Sequence, residues 1–563
     1  MRSPCRSFML LILTLWLSIA APTSFAIAEE DPTVGVISLG SYEQIMQHAN
    51  VLGAIVGFPN LDKMIELQLL QATGGQALQA IDKTKPIMLD VRLGKKEPYA
   101  VVCLPVTGLK ELLGTLPNPL GQTDDVGDGV LLLKNTPEPM YVKEEKGWSF
   151  WAQQKEYLAD LPKDPEKLVG DLPEKYLVGA RAFMQKIPPE KRAEAIGFLE
   201  LMAQMSLAGG GGAEFGLEEQ LAATKQQIGM LRQWIDDTKE VTLGVGFDKE
   251  TQSVHLDFVM TAMSGSEALK SYKRFKKGKS DHAGFLHEDA TLAIAVNMEG
   301  QPIKEEIALL DAQEKMFQSQ MAENIDTDSS LDDEEKDKIK QSADKMIGVL
   351  FDTLRSKQFQ AGMAAFINDR STFVFGGQVT DGNVLEGAVK QLIEIAGKKL
   401  DFPQPNWEEE NHGFYRIHTW KTPVPDDDAK KMFGEQLEFA LGFNKSSIYF
   451  AFGGNGIADL KKTLDAATAS SKKPIDPLQA FVKLGPLLAA AATQEGGQNL
   501  APIVGMLHDK DQILYTIQPI EEGIHGRIVL QQNLLRAIPL MSMIMGSGPA
   551  GVGGGPGNNP FGE

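Results

Sequence analysis

The sequence predicts an α+β fold built as two similar tandem domains, with largely antiparallel sheets packed by amphipathic helices and an added acidic helical hairpin. Three observations carry this expectation. A strand-turn-helix unit occurs twice, at Ala100 to Leu116 and at Thr372 to Leu392. The order of apolar patterns around the first copy returns around the second. Neighbouring period-two runs are joined by short turns, which favours hairpins over parallel crossovers.

In the first unit the β-branched run Ala100 to Leu104 meets Pro105 and Gly108, and the apolar spacing then turns helical at Leu109, Leu112, Leu113 and Leu116. In the second, Phe373 to Phe375 lead through Gly376 and Gly377 to a helix carrying Leu385, Val389 and Leu392. Around the first unit, Val34 to Leu39 alternates as a strand and Ser41 caps a following helix. Pro86 opens the hairpin that returns through Tyr99 to Leu104. Strands follow at Gly129 to Leu133, Met140 to Val142, Trp148 to Trp151 and Leu177 to Met184, then helices at Pro188 to Met202 and Leu217 to Thr238, and the hairpin Val241 to Met260. The second half retraces this order with Thr291 to Met298, Gln360 to Phe375, Phe414 to Trp420, Ser447 to Phe452, a helical stretch from Pro477 to Leu507, and the hairpin Gln512 to Leu530. The domains are therefore placed at 31–285 and 286–545, with a helical insertion at 302–357 whose crest, Asp326 to Glu335, is acidic.

Two terminal segments stand outside the repeat. Residues 1–28 read as a secretory signal peptide: Arg2 and Arg6 precede an apolar core from Phe8 to Ala21 and a small-x-small site at Ala26-Ile27-Ala28. That core is short for a membrane span of about 20 residues, so export to the periplasm or the extracellular space is expected, with no transmembrane segment after removal. Residues 546–563, rich in Gly, Pro and Asn, are expected to be a disordered tail. The chain's net charge of −20 opposes nucleic-acid binding. Beyond the signal only Cys103 remains, so no internal disulfide forms, and its apolar neighbours predict a buried small hydrophobe rather than a nucleophile.

Five stretches carry residue types that chemistry uses. Tyr449 to Gly456 runs from an apolar strand through glycines into a helix, as phosphate-binding turns do, but the third glycine of the dinucleotide pattern is missing, which favours a plain strand-to-helix turn. Asp326 to Asp332 resembles a calcium loop with Leu331 at the glycine position and Asp337 at the glutamate position, which favours a solvated turn that caps the next helix. Glu408, Glu409, Glu410, His412 and His418 include metal-ligand types, yet Asn411-His412-Gly413 reads as a hairpin turn. Lys270, Lys273, Arg274, Lys276, Lys277 and Lys279 form a basic cluster read as a solvated helix end. Leu484 to Ala492 is a long apolar helix face, and with 22 methionines it raises an apolar-ligand carrier.

No Gly-x-Ser-x-Gly elbow, His-Glu-x-x-His, Walker loop or Cys-x-x-Cys pair is present. No catalytic, cofactor-binding or metal residue is assigned and no cofactor is expected. With its export signal, paired strand-turn-helix units, the Pro105 to Leu113 stretch, Gly147-Trp148-Ser149-Phe150 and Leu161-Pro162-Lys163-Asp164-Pro165, the chain resembles exported bacterial proteins of unknown function, a resemblance that brings no catalytic residues with it. The leading expectation is a non-catalytic envelope protein that binds a protein partner or a ligand between its halves. An extracytoplasmic hydrolase and a carrier of an apolar ligand are the alternatives.

Overall fold

A computed structural model describes residues 32–546, apart from 73–76, 95–96, 116–120, 210–216, 369, 401–404, 471–473, 494–496 and 509–510. The predicted signal peptide and nearly all of the predicted tail lie outside the described residues. The fold is α+β. Its first ten strands are β1 (Thr33–Ser41), β2 (Pro86–Leu93), β3 (Pro98–Pro105), β4 (Thr123–Asp125), β5 (Val130–Leu133), β6 (Met140–Glu145), β7 (Trp148–Ala152), β8 (Val178–Phe183), β9 (Thr238–Asp248) and β10 (Ser253–Ala262). The next ten of the large sheet are β11 (Leu292–Glu299), β12 (Gln358–Phe366), β13 (Thr372–Gln378), β14 (Asn406–His412), β15 (Tyr415–Pro423), β16 (Gln436–Asn444), β17 (Ser447–Gly453), β18 (Leu478–Lys483), β19 (Gln512–Ile520) and β20 (Gly523–Leu530), and the short strands Gly278–Lys279 and Pro474–Ile475 pair apart from it.

All twenty join one antiparallel sheet. From one edge the order is β4-β5-β6-β7-β3-β2-β1-β8-β9-β10. From the other edge it is β14-β15-β16-β17-β13-β12-β11-β18-β19-β20. Each strand number in the second series is ten above its counterpart in the first. The series meet where β10 pairs with β20, in register from Val254 opposite Leu530 to Thr261 opposite Gly523.

The sheet joins strands from both sides of the expected boundary at residue 285. Each half ends in a hairpin with one free edge, and unpaired edge N–H and C=O groups are satisfied when the two edges pair with each other. A correction concerns Pro477 to Leu507, read as helical throughout, because Leu478–Lys483 is the strand β18. Its four apolar residues among six, Leu478, Ala480, Phe481 and Val482, fit either period.

The helices fill equivalent connections. Between β1 and β2 lie α1 (Tyr42–Ile55) and α2 (Leu61–Ala72), and α3 (Leu109–Thr115) follows β3. After β7 come α4 (Pro165–Val169) and α5 (Leu172–Lys175), between β8 and β9 come α6 (Pro189–Gly209) and α7 (Leu217–Asp237), and after β10 comes α8 (Glu267–Tyr272). In the second half α9 (Lys304–Thr327) and α10 (Asp333–Leu354) join β11 to β12, and α11 (Gly382–Leu400) follows β13. Then α12 (Asp427–Phe433) joins β15 to β16, α13 (Gly456–Ser470) follows β17, α14 (Leu484–Ala492) and α15 (Ala501–Val504) lie between β18 and β19, and α16 (Gln532–Gly546) ends the described chain. Sequence features set several of these starts: Ser41 and Gln44 form a capping box on α1, and Asp332 and Glu335 form one on α10.

One sheet face, the core face, holds the two largest buried clusters. In the first half Val101, Cys103 and Phe150 pack with Leu172 of α5, and in the second Val374, Tyr449 and Ala451 pack with Leu460 and Leu464 of α13. Cys103 is buried there as a free thiol, and burial pushes its pKa up, away from reactivity.

The β10–β20 pair leaves no room for added bulk. A Cβ on Gly523 would stand 1.8 Å from the Met260 carbonyl oxygen. Gly523→Ala should therefore cost about 2 kcal/mol or more, read as a lower urea midpoint with one cooperative transition or with the halves melting apart. An unchanged midpoint would show that the strands meet differently.

Candidate functional site

The opposite sheet face is apolar across both halves. Reading the cross-strand register from β2 gives one row: Ile87, Leu39, Val178, Val245, Leu256, Ile528, Tyr515, Ala480, Ile294, Met363, Phe375, Phe450 and Leu441. None of these side chains carries a charge, and the Tyr515 hydroxyl is the single polar group. The row on one side continues the pattern with Leu89, Ile37, Ala180, Leu243, Phe258, Gly526, Ile517, Leu478 and Val296. Strand spacing makes the thirteen-strand row roughly 58 Å long.

Along this open face the middle is accessible. Val178, Leu243, Val245, Leu256, Phe258 and Ile528 are between 37% and 54% exposed. Sheets with one wet side normally turn their polar side to water. Here the alternate positions of the same strands, Arg181, Thr242, Asp257, His525, Arg527 and Thr516, are on the core face, so the apolar side is accessible as well.

Helices rim the open face at both strand ends. At one end the His48 ring of α1 meets the Phe247 ring edge-on at 5.8 Å, and Leu534 and Ala537 of α16 cluster with Ile503 and Ile513. At the other end Leu269 and Tyr272 of α8 pack on Met260 and Ile524. Farther along that end α10 lies over β12, β13 and β17, with Leu350, Phe351 and Leu354 toward Phe375 and Phe450. The product is a strip of uncharged sheet between two helical walls.

No protein-family model, curated protein or solved structure matches the chain. No helix among the described residues is long and apolar enough to cross a membrane.

Two ionic clusters come closest to catalytic groupings. On the core face at the junction, Asp257 accepts both Arg527 N–H bonds at 2.7 Å and the Tyr176 hydroxyl at 3.1 Å, while His525 Nε2 lies 3.1 Å away without hydrogen-bond alignment. Burial opposes the Asp257 charge, but the His525 and Arg527 contacts outweigh it and hold its pKa far below the usual carboxylate range. Burial and Asp257 push Tyr176 the other way, so its phenol stays protonated. A hydroxyl held in that state is a donor, not an activated nucleophile. At the far edge Glu386 of α11 meets Arg416 Nε, His418 Nε2 and Lys390 Nζ, each at 3.0 Å.

The stretches singled out in the sequence are dispersed. His412 bonds Asp465 of α13 at 2.8 Å on the core face, whereas His418 bonds Glu386 of α11 on the open face, so the sheet separates them. Glu410 pairs with Lys461, and of Glu408 and Glu409 only the backbone is described. The glycines after Phe452 serve close packing: a Cβ on Gly454 would lie 2.3 Å from Phe433 O, and one on Gly456 2.5 Å from Glu438 O. The Ile457 N–H at the start of α13 points to the Glu438 carboxylate, which occupies the place a phosphate would take. Asp332 caps α10 and Asp326 pairs with Lys340, and no metal-binding group of His, Cys, Asp or Glu occurs among the described residues. In the basic cluster Arg274 pairs with Glu306, Lys270 with Glu267 and Lys277 with Asp476. Leu484–Ala492 is α14, where Leu484 and Leu488 pack into the rim cluster.

The Glu386 cluster makes a pH prediction. Burial raises its pKa, and hydrogen bonds from Arg416, Lys390 and His418 more than offset that, holding it at about 2. Because the folded value lies below the unfolded one, the cluster's stabilisation is complete above the ordinary glutamate value of about 4.3 and is lost as pH falls toward 2. Urea unfolding at pH 7 and pH 3 should show Glu386→Gln losing less stability on acidification than the natural chain, by up to ~2 kcal/mol. Equal acid losses would remove Glu386 from that role.

Proposed function

We propose that this protein is an exported, non-catalytic binding protein that holds an elongated apolar ligand against the open sheet face shared by its two halves. The observation that carries the reading is the thirteen-strand row without a charge, accessible at its centre and rimmed by helices. Soluble proteins seldom leave a contiguous apolar patch of more than a few hundred Å² uncovered unless something binds there. Hydrocarbon laid on such a surface returns ~25 cal/mol for each Å² removed from water.

The chemistry of the strip favours a hydrocarbon chain over a protein partner. Protein interfaces carry about one hydrogen bond per 100–200 Å², and the central row offers one hydroxyl. A hydrolytic role would draw on Asp257, His525 and Tyr176, but that cluster lies on the opposite sheet face and its hydroxyl is held protonated. The matching strand orders support reading the halves as two copies of one ten-strand unit, with the ligand strip running across their junction. Export rests on residues 1–28.

Fluorescence titration with cis-parinaric acid, an acyl-chain probe, tests the reading. Leu243→Glu and Leu256→Glu place a carboxylate in the strip, where hydrocarbon would bury it unpaired. Each should weaken binding at least tenfold while leaving stability within about 0.5 kcal/mol, as exposed substitutions do. No binding by the natural chain, or normal binding by both variants, would refute the proposal. A stability loss of several kcal/mol in each variant would show instead that the strip is packed core.

A further inference from the structure

On the α10 side of the open face the cross-strand register sets Val296, Ala361, Gly377 and Ile448 side by side. The adjoining row carries Met363, Phe375 and Phe450 on the strands that bear these last three residues. Two small neighbours where the next row has a methionine and a phenylalanine leave space above the sheet. That space is a partly open pocket of about 440 Å³ between the sheet and α10, with Leu350, Phe351 and Leu354 along its helical side.

We propose that this pocket, at the α10-covered end of the row and away from its accessible centre, is a second binding site for a flat, uncharged ring compound of the fused-ring or quinone type. Its size falls within the ~300–1,000 Å³ of small-molecule sites. Its lining contains no charged residue, and Thr353 and Gln378 alone are polar in it. The Thr353 hydroxyl is already committed, donating to Val349 O at 2.7 Å and accepting from Thr380 N at 3.0 Å. The Thr380 bond ties the end of α10 to the segment that follows β13. The site therefore selects by shape and ring contact, not by charge.

The sheet beside and beneath the cavity is aromatic. Phe373 and Phe452 stack at 5.2 Å and 20°, and Phe375 and Phe452 at 6.2 Å and 8°. These nearly parallel rings extend as a platform from Phe375 and Phe450 in the lining. Offset stacking gains ~0.5–1.5 kcal/mol for each ring pair beyond area burial, a gain open to a planar ligand and not to a saturated chain. On the corresponding first-half strands β3 and β7 this face carries Ala100, Val102, Ser149 and the single aromatic Trp151, so the stacked phenylalanine floor belongs to the second half.

The inference does not rest on the central strip, and the two are tested apart with the full chain. N-phenyl-1-naphthylamine, an uncharged naphthyl probe, should bind with a saturable high-affinity phase that cis-parinaric acid does not displace. Ala361→Leu fills the cavity from the sheet and Leu354→Trp fills it from the half-buried end of α10. Each should weaken that phase at least tenfold and leave cis-parinaric acid binding within twofold, whereas Leu256→Glu should do the reverse. The proposal is overturned if the natural chain does not bind the naphthyl probe, if cis-parinaric acid displaces it fully, or if a folded filling variant keeps its affinity within twofold. Failure of cis-parinaric acid alone to bind would sink the central strip and leave this site standing.

Discussion

The pairing of β10 with β20 is the constraint on which the rest of the molecule depends. Two ten-strand arrays each present a hairpin edge, and this contact makes their faces continuous. Its register is fixed electrostatically as well as by main-chain bonds. In strands a slip of one residue exchanges the two faces. A slip of β10 would carry Asp257 away from Arg527 to the apolar side and bring Leu256 and Phe258 to the charged side. An unpaired carboxylate in apolar surroundings is costly enough to exclude that alternative. The bidentate Asp257–Arg527 pair thus does on the core face what keeps the open face uncharged.

Sorting polar and apolar residues by face has an energetic consequence. The strands nearest the junction satisfy their polar groups on one side and have no comparable use for their apolar side. The rim helices cover the ends of the open face, where Met260, Ile524 and Ile513 pack, and the middle stays accessible. The two halves also differ in what they present: Ala100, Val102, Ser149 and Trp151 on β3 and β7, stacked phenylalanines on the matching β13 and β17. A shared strand order with divergent surfaces is consistent with one scaffold serving two kinds of apolar contact.

Much of the local structure was legible in the sequence because hairpins and caps are local. The alternation from Val241 to Phe247 and from Val254 to Met260, the Gly413 turn, and the Ser41 and Asp332 caps all follow from residues within a few positions of one another. The single sheet was not legible, since antiparallel pairing between Asp257 and Arg527, 270 residues apart, leaves no local mark. The open face was half legible. Leu243, Val245, Leu256 and Phe258 sit at the apolar positions of an ordinary half-buried hairpin, and only the strands placed beside them show that the same parity runs on through Ile528, Tyr515 and Ile294. The chemically suggestive stretches show the converse: His412 and His418 are close in sequence, and the sheet puts them on different faces.

The role proposed for the accessible strip is to hold a ligand. Native mass spectrometry of the full chain, before and after incubation with a mixed lipid extract, tests it most directly. Monomer peaks should carry adducts of hydrocarbon-rich small molecules that are stripped at higher collision energy. A bare monomer under all conditions, or a dimer that forms instead of any adduct, would contradict it.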